Sequence, residues 1–160
     1  MSAGSAAISV GAPKVYRAII WGGLIAGSMD ISAAAIQTVL RGRNPIMMLQ
    51  GIASGLLGQR SFQGGYATAA LGLALHFLIA YTACTMYFAV SRRLTFMVTS
   101  AVLCGLLYGV LVYAFMNLVV LQLAFPSRLK YTVTAVCIGL IVHVICIGLP
   151  ISLTVRWYSK

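Results

Sequence analysis

A 160-residue chain that is 61% apolar and 8% charged, with mean hydropathy +1.00, carries more apolar surface than a water-soluble domain of this size can bury. Its formal charge of +10 does not point to nucleic acid, because the eleven Lys and Arg stand singly or in pairs between apolar runs. Asp30 is the only acidic residue, and there is no P-loop, HExxH, G-x-S-x-G or dinucleotide fingerprint, so ordinary enzyme chemistry is not expected.

Residues 1–13, rich in Ala, Ser and Gly, read as a flexible cytoplasmic tail ahead of a single membrane domain over 14–160. The first span, Arg17–Arg41, is about 35 Å long as a helix, enough to cross a bilayer. A cleaved secretory signal fits less well, since the apolar character continues to Leu40. Asp30 lies near the middle of this span, where an ionised carboxylate is costly and needs a reason. At about 100° per residue, Gly23, Ala26, Gly27, Ala33, Ala34 and Gln37 share its side of the helix, a small and polar stripe suited to packing on another helix.

Asn44-Pro45 is a good helix start, but the run that follows, about 45–58, is too short to span. Its apolar residues recur at helical spacing, with Gln50 and Ser54 on another side, which predicts a helix lying in the interface or dipping partway into the membrane. Gly51 and Gly55 are candidates for its contact with a neighbouring helix.

The second span, about 65–90, again has a small stripe, with Gly65, Ala69, Gly72, Ala80 and Ala83 around His76. The Ser91-Arg92-Arg93 turn predicts that spans two and three are antiparallel neighbours. Span three, about 96–125, holds the GxxxG pair Gly105 and Gly109, with Asn117 off that face as an interhelical hydrogen-bonding residue. Span four, about 131–155, has His143 near its centre and Pro150, which should kink its end. Arg156, Trp157, Tyr158 and Lys160 form an interfacial belt.

The fold class expected is therefore all-α: four transmembrane helices plus one short interfacial or re-entrant helix. Cys84, Cys104, Cys137 and Cys146 all fall in apolar runs without a CxxC, and read as small packing residues rather than a disulfide or a metal site. Lys14, Arg17, Arg92, Arg93, Arg156 and Lys160 fall on one side of the membrane and Arg41, Arg43, Arg60, Arg128 and Lys130 on the other. The tight arginine turn and the weight of the first helix favour both termini inside.

The stretches HFLIAYTACTMYFAV (His76–Val90), GLLYGVLVYAF (Gly105–Phe115) and HVICIGLPISLTVR (His143–Arg156) resemble the YagU-like family of bacterial inner-membrane proteins. The resemblance covers about half the chain and leaves out the Asp30 helix. It implies a small inner-membrane protein and supplies no catalytic residues.

Asp30, His76 and His143 each lie near the middle of their own span and so at a shared depth. Three roles follow. In the favoured one they are polar ties in a structural or accessory subunit that packs through Gly23, Gly27, Gly72, Gly105 and Gly109 against lipids, other subunits or itself. In the second, Asp30 and the histidines, with Asn117, serve proton, ion or small-solute transport. In the third, His76 and His143 are axial ligands of a b-type haem. Asp30 itself is expected to face the bundle interior, either protonated or bonded to a midplane histidine or Asn117.

Overall fold

The computed structural model of the chain describes residues 12–124 and 132–160. Most of the expected tail and the Pro126–Lys130 turn lie outside the described residues. Among those described, every regular element is helical: α1 (Ala12–Leu40), α2 (Pro45–Leu57), a 3-10 segment (Gly58–Gln63), α3 (Gly65–Ser91), α4 (Phe96–Thr99), α5 (Ala101–Phe115), a π-helical segment (Met116–Val120), α6 (Leu121–Ala124), α7 (Val133–Val142), a second π segment (His143–Gly148) and α8 (Leu149–Tyr158).

Four stretches are long and apolar enough to cross a membrane: Lys14–Leu40, Gly65–Ser91, Ala101–Leu123 and Val133–Tyr158. The protein is an all-α, multi-pass membrane protein. The third span starts later than expected, because Ser100 (φ −102°, ψ 43°) leaves the helical region and cuts off α4 as a single turn.

Gly23 stands against the Tyr81 ring and Gly27 against Phe77 and Ala80, so α1 and α3 run antiparallel. Gly22 meets Thr154, so α1 also packs on the fourth span. Spans two and three touch, but neither has its most extensive contacts with the other. The extensive contacts of α3 are with α1 and α2, and those of α5 are with the fourth span. Tyr108 bridges the two spans, donating to the Ala83 carbonyl at 2.7 Å and meeting the Tyr87 ring edge-on at 4.9 Å. Turn length sets chain direction, while small residues decide which backbones approach.

Helix α2 begins as expected: the Asn44 side chain accepts from the Ile46 N–H at 2.8 Å, with Pro45 at the first helical position. Its orientation inverts that of an amphipathic surface helix. Gln50, Ala53 and Ser54 are buried, while Met47, Leu56 and Leu57 are exposed. Gln50 donates to the Gly65 carbonyl at 3.0 Å. Where lipid surrounds a helix, its apolar side gains nothing by hiding, and its polar groups are the ones that need protein partners. Gly51 does not make the expected close contact, as a Cβ there would meet nothing within 4 Å. Gly72 of α3 provides it instead, lying against the Leu49 carbonyl and the Ala53 amide.

Packing is uneven along the bundle. Ala18, Cys84, Tyr87, Phe88, Cys104, Ile151 and Val155 form a core toward one end. Among the described residues, none is buried on α1 after Gly27, on the third span after Gly109, or on the fourth before Ile147. Cys84 and Cys104 belong to the packed end, whereas Cys137 is exposed and Cys146 half-buried, so only two of the four thiols are core packing residues.

Candidate functional site

Asp30 sits one turn beyond Gly27, where the packed half of the bundle ends. Gly27 has no side chain to hold α3 away, and a Cβ there would lie 2.8 Å from the Phe77 ring. That close approach brings His76 onto the backbone of α1. Its Nε2–H donates to the Gly27 carbonyl at 2.9 Å, and its Nδ1 lies 4.0 Å from Asp30 Oδ2. The side chains of His76 and Asp30 are 12% and 17% exposed, so the pair is mostly enclosed and still reachable.

The Gly27 carbonyl can only accept, which keeps a proton on Nε2 and turns Nδ1 toward the carboxylate. With one proton between them the pair is neutral, as acid and imidazole or as carboxylate and imidazolium. Adding or removing a proton changes the local charge by one unit, in surroundings where charge is costly.

The other polar residues singled out in the spans do not join this pair. His143 Nδ1 is bonded to the Gly139 carbonyl of its own helix at 2.9 Å, and its ring meets Tyr113 edge-on at 5.3 Å. Asn117 donates to the Tyr113 carbonyl of its own helix at 2.9 Å. Both lie in π-helical segments, His143 at the start of one and Asn117 in the other. Pro150 accounts for the one in span four: it cannot donate to the Cys146 carbonyl, and the ladder widens just before it. A π segment thus precedes the proline. Cys146 in that segment is within electrostatic reach of Asp30.

Below the pair, the GxxxG face of α5 is used in full. Gly105 and Gly109 stack on Gly148, Val144 and Ser152 of the fourth span, backbone against backbone. Gly148 and Ser152, four residues apart, are a small-xxx-small pair that matches the glycines opposite; that spacing was readable in the sequence and was not singled out. The Gly27 carbonyl carried no such signal, since a backbone acceptor leaves no trace in residue identity.

No protein-family model, curated protein or solved structure matches this chain. Its site is therefore read from geometry alone. Among the described residues, no three His, Cys, Asp or Glu side chains gather to hold a metal ion.

Proposed function

We propose that this protein couples proton binding at the Asp30–His76 pair to movement of a small solute or ion through the membrane. One observation carries the reading: the chain's only carboxylate faces one of its two histidines at mid-span, at the boundary between packed and open halves of the bundle. An ionisable pair at that depth is expensive to keep, and a protonation change there has a nearby set of loosely packed helices to act on. No enzymatic step is part of this reading. The resemblance of the later spans and the tight arginine turn support a bacterial inner-membrane location with both termini in the cytoplasm.

The accessory-subunit reading draws on the same pair, because a polar tie between α1 and α3 stabilises a bundle without moving anything. Its stronger form, docking through glycine faces, loses support: Gly23, Gly27, Gly72, Gly105 and Gly109 are all occupied within the chain. Reconstitution into liposomes with a lumenal pH dye separates the two. Proton flux from wild type that vanishes in Asp30→Asn supports transport, and wild type indistinguishable from empty liposomes across a panel of imposed gradients removes it.

A further inference from the structure

The break at Ser100 leaves a groove between α4, the start of α5 and the end of the fourth span. Val102, Leu103 and Leu106 line it along α5 and are themselves exposed. Arg156 closes its outer end, where one guanidinium N–H (Nη1) donates to the Thr99 carbonyl at 3.2 Å. The Thr99 bond places the guanidinium at the end of the groove. Asp30, the only acidic side chain, belongs to the middle of α1, so no carboxylate side chain neutralises this cation. A guanidinium at the end of a membrane span, beside a shallow and largely aliphatic groove, has the charge and chemistry to take one anionic amphiphile.

We propose that this groove binds an anionic phospholipid, with its phosphate on Arg156 and an acyl chain along Leu103 and Leu106. The first amides of α5, at Val102 and Leu103, precede its first i→i−4 bond (Cys104 N–H to the Ser100 carbonyl, 3.0 Å) and add positive potential at the same end. Affinity comes from the guanidinium–phosphate pairing, and position along the membrane normal from the slot. Other basic residues attract anionic lipid in general, but among the described residues none besides Arg156 lines this groove.

The test is native mass spectrometry of the protein released from nanodiscs holding equal phosphatidylglycerol and phosphatidylcholine. Wild type should keep one phosphatidylglycerol in preference to phosphatidylcholine. Arg156→Gln should lower that retention about fivefold, and Arg93→Gln should leave it unchanged. Equal retention of the two lipids, or undiminished retention in Arg156→Gln, overturns the proposal. Should Arg156→Gln fail to accumulate as folded protein, Val102→Trp, which fills the slot from its exposed side, must produce the same loss, and unchanged retention there is equally fatal. Inorganic phosphate should not compete, and displacement by it would show a simple anion site in place of a lipid site.

Discussion

His76 Nδ1 and Asp30 Oδ2 face each other across the α1–α3 contact at 4.0 Å, held in register by the Nε2–H bond to the Gly27 carbonyl one turn away. The separation is longer than a hydrogen bond, so the two side chains are close neighbours rather than a bonded pair. Asp30→Asn keeps the side chain's size and polarity. It is expected to fold with stability within about 1 kcal/mol of wild type in reversible detergent unfolding, and to abolish proton flux. Asp30→Leu should disturb the α1–α3 packing and lower the unfolding midpoint. Full flux in a well-folded Asp30→Asn protein would remove the pair from the mechanism.

Energetic coupling between the two residues is measurable apart from any activity. A double-mutant cycle with Asp30→Asn and His76→Gln should give about 0.5–1.5 kcal/mol, the range of polar contacts between membrane helices. Additive single effects would mean that each side chain is satisfied elsewhere. A complementary signature is the carbonyl stretch of a protonated carboxylic acid: with Asp30 the only acidic side chain, any such side-chain band belongs to it and must disappear in Asp30→Asn.

Glycine substitutions should divide sharply by position. A Cβ at Gly148 would meet the Gly105 carbonyl and lie 2.6 Å from the Gly109 amide nitrogen, backbone atoms with nowhere to go. Gly148→Ala is expected to destabilise by about 1–3 kcal/mol, the cost of overpacking a tight contact. Gly51→Ala meets nothing within 4 Å and should be neutral or stabilising by a few tenths of a kcal/mol, since Ala is the better helix former. Unfolding midpoints of the two variants in the same detergent decide the matter.

Helix α2 should detach from α3 when Gly72 is filled. Gly72→Ala places a methyl against the Leu49 carbonyl, which should raise amide exchange across Pro45–Leu57 while leaving α1 protected. Asn44→Ala removes the cap on the Ile46 N–H and should cost about 1 kcal/mol, read as faster exchange in the first turn of α2 only. Uniform acceleration along α1 and α3 in either variant would show that α2 is part of the core.

Local patterns, and the strict penalties that membranes impose on them, settled much of this protein in advance. Unbroken apolar runs determined the helical class and the four spans, because a lipid-exposed backbone must satisfy its own hydrogen bonds. Asn44-Pro45 determined where α2 starts, and the rarity of an acid at mid-span marked Asp30. Tertiary structure decided the partners. The small stripe around His76 proved to serve two neighbours, Gly72 against α2 and Ala80 against α1, a division that no periodicity reveals. Helix α2 turned Gln50 inward, where the Gly65 carbonyl accepts from it, and the position of that partner could not be read from α2 alone. Asp30 acquired His76 rather than His143 because Gly27 admits the α3 backbone closely enough to lend a carbonyl, while the π segment binds His143 to its own helix. Depth is written along one helix, whereas pairing depends on how two helices meet.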